Sequence, residues 1–82
     1  MTDSAPPVVD ARGHRCPVPS LRLRKALTAR PGEEHFVLLA TDPMARIDVP
    51  FLMAELGGRV LEITADGDVL RITVERRAVL TG

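Results

Sequence analysis

Cys16 is the only cysteine in the chain, so any sulfur chemistry here must run on one thiol. One cysteine cannot close an internal disulfide, and with no resolving partner it cannot run an intramolecular dithiol cycle. Its neighbours are unusual for a packing cysteine: Arg12, Gly13, His14 and Arg15 precede it, and Pro17 and Pro19 follow. Proline suits the first position of a helix, where its missing amide hydrogen costs nothing, which puts Cys16 at the N-cap of a helix opening at Pro17. Free amide hydrogens, the positive end of the helix dipole and the charges of Arg12 and Arg15 all favour an anion there. A depressed thiol pKa is therefore expected, with Pro19 stiffening the first turn and holding the sulfur outward. The competing reading is a small buried hydrophobe chosen for packing, which the charged and stiff neighbours oppose. His14 is placed to polarise the thiol, but residues two apart in an extended loop need not point together, so a solvated loop histidine is the simpler reading.

Other charged residues have plainer explanations. Arg22, Arg24 and Lys25 form a basic run on the first helix, either a solvated face or a dock for an acidic partner. Asp42 before Pro43, and Asp48 before Pro50, read as two successive helix caps. In parallel βα units the C-terminal ends of the first two strands share one edge of the sheet, so Asp42 and Pro43 are expected beside the Cys16 loop, shaping a partner surface together with Asp48. One cysteine with His14 and His35 does not give zinc-site spacing, and Arg12 to Arg15 holds a single glycine, so neither a metal centre nor a phosphate loop is expected. No cofactor is called for.

The elements that must position these residues follow from periodicity. Val8 to Ala11 is a short β-type run, broken by the glycine in Arg12 to Arg15. A helix is expected over Pro17 to Arg30, with Leu23, Ala26 and Leu27 on its buried face, Leu21 off it, and Pro31 and Gly32 ending it. His35 to Ala40 is nearly continuously apolar, the pattern of a central strand covered on both sides. A second helix is expected over Val49 to Leu56, closed by Gly57 and Gly58. Leu61, Ile63 and Ala65, then Leu70, Ile72 and Val74, alternate with polar residues about Asp66 and Gly67, a hairpin with an Asp-Gly turn. The order βαβαββ predicts an α+β fold: a two-layer α/β sandwich with a mixed four-stranded sheet and both helices on one face. Residues 1–7 read as an N-terminal tail, 8–77 as a single domain and 78–82 as a C-terminal tail.

Composition narrows the function. At 82 residues the chain builds one core, and eleven acidic residues balance eleven basic ones, so long-range attraction to nucleic acid or to an anionic membrane is not written into it. Two phenylalanines are its only aromatics, which removes the stacking platforms of single-strand binders. Neither a signal peptide nor a membrane-spanning run is read, and a cytoplasmic location is expected.

The run Asp10 Ala11 Arg12 Gly13 His14 Arg15 Cys16 Pro17 Val18 Pro19 resembles the CPxP signature of the TusA/SirA family of small sulfur carriers. Asp42 Pro43, then Arg46, Asp48, Val49 and Pro50, resemble the family's second block, and the βαβαββ order fits its two-layer sandwich over about Val8 to Arg77. The resemblance implies a persulfide relay: Cys16 takes sulfane sulfur from a donor such as a cysteine desulfurase and passes it to an acceptor protein. That makes the chain a sulfurtransferase-type carrier rather than a free-standing enzyme, in a route such as tRNA thiolation, molybdenum cofactor supply or sulfur oxidation. His14, where many relatives carry an apolar residue, and the arginine-rich first helix bear on which partner is served. Two other functions stay open: a regulatory or protein-interaction module without chemistry, and a thiol redox sensor.

Overall fold

The computed structural model describes residues 5–76; most of the two expected tails, residues 1–4 and 77–82, lie outside the described residues. The elements are β1 (Val8–Ala11), α1 (Val18–Ala29), β2 (His35–Ala40), α2 (Ala45–Glu55), β3 (Arg59–Asp66) and β4 (Val69–Glu75). The sheet order is β1-β2-β4-β3, with β1 parallel to β2 and the other two pairings antiparallel. This is the mixed four-stranded sheet expected from the sequence, with both helices against one face.

Alternation decides which strand residues meet the helices. Phe36, Leu38 and Ala40 of β2 and Leu70, Ile72 and Val74 of β4 form one cluster with Leu23 and Leu27 of α1 and Ala45, Val49, Leu52 and Met53 of α2. Leu21 points away, as its position off the helical stripe requires. β2 is interior but carries helices on one face only; its intervening residues His35 and Leu39 are half-buried and Val37 is fully covered. The closing contact is made by Arg76, which stacks on the Phe36 ring and donates to the carbonyls of Leu27, Arg30 and Pro31 at the end of α1. Those carbonyls have no partner within the helix, so a cation at this end both bonds them and complements the dipole.

Three details depart from the sequence reading. α2 begins at Ala45, one turn before the expected start, and Pro50 lies inside it. The Asp42-Pro43 pair is the working start signal: Asp42 Oδ1 accepts from the Met44 amide at 3.0 Å, while Asp48 sits in the first turn and caps nothing. Pro50 removes the hydrogen that would otherwise reach the Arg46 carbonyl. In β3 the register shifts between Val60 and Glu62, so Leu61 is the extra residue of a bulge and is 45% exposed, while Val60 and Ile63 face the core. The hairpin loop is Gly67 and Asp68 rather than Asp66 and Gly67, since Asp66 pairs with Val69; Gly67 takes the positive φ of 62° that the first loop position needs.

Candidate functional site

Cys16 stands on the loop between β1 and α1, two residues before the first helical residue, with Pro17 as the capping residue and a cis peptide bond between them. The thiol is therefore one position outside the expected N-cap. Its loop is held by the loop after β2. The Gly13 amide donates to Thr41 Oγ1 and the Cys16 amide to Asp42 Oδ2, both at 2.8 Å. Gly13 turns with φ of 83°, which a side chain would strain. Asp42 thus uses one oxygen on Cys16 and the other on Met44, fastening the cysteine loop to the start of α2. The pairing of Ala11 with Ala40 makes this possible, because it brings both strand ends to one edge.

The electrostatics run opposite to the sequence expectation. Burial, and then the charges of the nearby Asp48 and Asp42 carboxylates, push the Cys16 thiol up to about 12. Taking sulfur out of water penalises the thiolate, and two like charges oppose it further, while the protonated thiol can donate to either carboxylate. The cations expected to do the reverse are engaged elsewhere. Arg12 is folded back on Asp10, with Nε to Oδ1 at 2.8 Å and Nη2 to Oδ2 at 2.7 Å. Arg15 is exposed and acts on Asp42, whose pKa is lowered first by the amide bonds from Met44 and Cys16 and last by Arg15.

The remaining expected site residues divide. Gly13, His14, Arg15, Thr41, Asp42 and Pro43 line one open cleft on the cysteine side of the molecule. His14 is half-buried there, with its amide bonded to the Ala11 carbonyl. Pro17 is exposed, but Pro19, in the first turn of α1, is fully buried, so it fixes the helix to the core rather than presenting the sulfur. The basic run does not form one patch. Arg22 reaches the Asp10 carbonyl at 3.2 Å and lines a groove with Lys25 against β1, whereas Arg24 borders a different groove with Leu56 and Arg76. Two site features escaped the sequence reading: Thr41 as the acceptor for Gly13, and Asp48 as a neighbour of the thiol. A helix starting at Ala45, had it been recognised, would have placed Asp48 in the first turn beside the loop. No group of three or more metal-ligating side chains occurs among the described residues, and no helix among them is long and apolar enough to cross a membrane.

The molecule is a two-layer α+β sandwich with one thiol on the first βα loop, anchored from the second. The chain belongs to the sulfurtransferase TusA family, which matches residues 8–76. A sulfur carrier protein from Archaeoglobus fulgidus is 40% identical over 68 residues, covering 82% of this chain and 88% of that one. Sulfur carrier protein YrkI of Bacillus subtilis is 32% identical over 69 residues, covering 84% and 92%. The crystal structure of a SirA-like protein from Desulfitobacterium hafniense superposes with a TM-score of 0.70 at 28% identity, covering 83% of this chain and 93% of that one. The relatives' names support a sulfur carrier role for this chain.

Proposed function

We propose that this protein carries sulfane sulfur as a persulfide on Cys16, receiving it from a donor such as a cysteine desulfurase and relaying it to an acceptor protein. The observation that carries the reading is the partly exposed Cys16 thiol, fixed by its own backbone between Asp42 and Asp48. In loading, the Cys16 sulfur bonds to the terminal sulfur of the donor persulfide and the donor's sulfur–sulfur bond breaks, its electron pair leaving on the donor thiolate. The Cys16 proton passes to that thiolate, with Asp48 or Asp42 as the adjacent acceptor through which it moves. Donor persulfide and carrier thiol become donor thiol and carrier persulfide, so no outside oxidant or reductant is needed. The resting thiol is held protonated and poorly nucleophilic, which protects a solitary cysteine from adventitious oxidation and speaks against a redox sensor, since a sensor needs a ready thiolate. A reducing compartment such as the cytoplasm suits such a thiol.

The test is intact mass after incubation with a panel of cysteine desulfurases and cysteine. One added sulfur atom, lost with dithiothreitol and absent in Cys16→Ser, is expected. No gain with any donor would remove the reading and favour the interaction module, for which Cys16→Ser should leave activity in cells unchanged.

A further inference from the structure

Residues 12–17 leave β1 at Ala11 and enter α1 at Val18, and most of their backbone bonds are local. The Arg12 amide donates to Asp10 Oδ1, the His14 amide to the Ala11 carbonyl, the Val18 amide to that of Arg15 and the Leu21 amide to that of Pro17. Among the described residues, two hydrogen bonds alone tie this backbone to the rest of the molecule: Gly13 to Thr41 Oγ1 and Cys16 to Asp42 Oδ2, each at 2.8 Å. Consecutive residues of the second loop thus hold two points of the first, on either side of His14 and Arg15. The two acceptors are not equivalent. Asp42 also accepts from Met44, so its removal disturbs the start of α2 together with the cysteine loop. The Thr41 hydroxyl accepts only from Gly13 among the described residues. A Cβ at Gly13 would meet nothing within 4 Å, so the glycine serves the turn, with its φ of 83°, rather than making room.

We propose that Thr41 is a positioning residue for sulfur transfer, acting through the Gly13 amide to hold the Cys16 loop against the start of α2. A loop held at one point pivots about it, whereas a loop held at two keeps both its distance and its direction. With Asp42 alone, residues 12–15 would swing about the Cys16 amide; the Gly13 bond removes that freedom before a partner arrives. Transfer needs the attacking sulfur in line with the sulfur–sulfur bond it breaks, and small displacements cost rate steeply. The inference rests on the carrier reading for the transfer step, while the clasp rests on the two bonds. Charged groups near the thiol come from three places: Asp48 from α2, Asp42 from the loop after β2, and Arg15, which acts on Asp42, from its own loop. Thr41 carries no charge, so a change in the thiol's titration on loss of its hydroxyl reports a change of position.

The experiment uses the full chain as Thr41→Val, which keeps the shape and loses the acceptor, and as Thr41→Ser, which keeps the acceptor. Loading by a persulfide-bearing cysteine desulfurase is followed by intact mass, and alkylation of Cys16 by iodoacetamide is followed against pH. In Thr41→Val, kcat for loading is expected to fall at least about tenfold with KM within about twofold of wild type, the pattern of lost geometry rather than lost binding. Alkylation at pH 8 should rise at least about threefold, because a loosened loop lets the thiol move away from burial and the carboxylates. Thr41→Ser should restore both to within about twofold. Wild-type loading kinetics in Thr41→Val overturn the proposal. So does failure of serine to restore them, which would assign the effect to the methyl group. The wild type supplies a check that needs no variant: its Gly13 amide should exchange with solvent at least about tenfold more slowly than an unprotected amide. An unprotected Gly13 amide overturns the proposal as well. A wild type that takes sulfur from no desulfurase removes the carrier reading, a separate result, since alkylation and exchange still decide on the clasp.

Discussion

The two ends of β2 carry carboxylates in opposite situations. At the His35 end, Glu75 accepts from Arg59 Nε at 2.9 Å and lies 3.2 Å from His35 Nε2, and these partners hold its pKa below the ordinary value. Next to it Arg76 closes the C-terminal turn of α1. There the Glu75 carboxylate is answered by two basic side chains, and Arg76 by carbonyls and a ring. At the Ala40 end, Asp42 serves two backbone amides but also joins Asp48 in opposing ionisation of Cys16, with no cation at the sulfur. One end spends its charges on holding strands and helix together, and the other keeps two of them against the one atom that can react. Electrostatic conflict localised in this way marks a functional site better than charge density does, because both ends are comparably rich in ionisable groups.

This contrast can be broken by measurement. The largest effect should appear in alkylation of Cys16 by iodoacetamide. At pH 8 the rate is expected to be about a thousandfold below that of an unstructured cysteine. It should keep rising with pH toward about 12 rather than levelling near 9. An ordinary profile would mean that the carboxylates do not oppose the thiolate. Next, Asp48→Asn should speed alkylation at pH 8 by at least about tenfold and move the profile to lower pH, since it removes one of the two like charges. A rate unchanged within twofold would leave burial and Asp42 as the cause.

Smaller effects distinguish the fastening role of the charges. Asp42→Ala removes the acceptor of both Cys16 and Met44 amides and should lower the thermal midpoint by about 4 to 8 °C, the range for a lost helix cap in a domain of this size. Replacement by Asn should recover part of it. Smallest is Glu75→Gln at the satisfied end. The folded-state pKa of Glu75 is depressed, so its contribution is present above about 4.5 and lost as pH falls below that. The variant should therefore melt slightly lower than wild type at pH 7 and converge on it at acid pH. A gap that stays constant would show that the Arg59 and His35 contacts contribute nothing electrostatic.

The same contrast separates what was legible in the sequence from what was not. The strand Val8 to Ala11, the buried stripe of Leu23 and Leu27, and the parallel placement of Asp42 beside the cysteine loop all follow from period and connectivity, which are local or topological. The extra turn of α2 was hidden because Asp48 followed by Pro50 imitates a helix start. The bulge at Leu61 was hidden because alternation continues through it. The sign of the thiol shift was not legible at all. It depends on Arg12 turning back to Asp10 two residues away and on Asp48 turning toward a loop 32 residues before it, choices of side-chain direction that spacing does not encode.

The amide bond from Cys16 to Asp42 has a consequence for traffic through the proposed relay. With its main chain clasped, the residue can swing its cargo only about its own side-chain torsions, through an arc of a few ångströms rather than the sweep of a free arm. A sulfur so tethered cannot be handed from one protein to another bound on the far side of the domain. In that relay donor and acceptor would each have to reach the same fixed sulfur, so the two would visit it in turn.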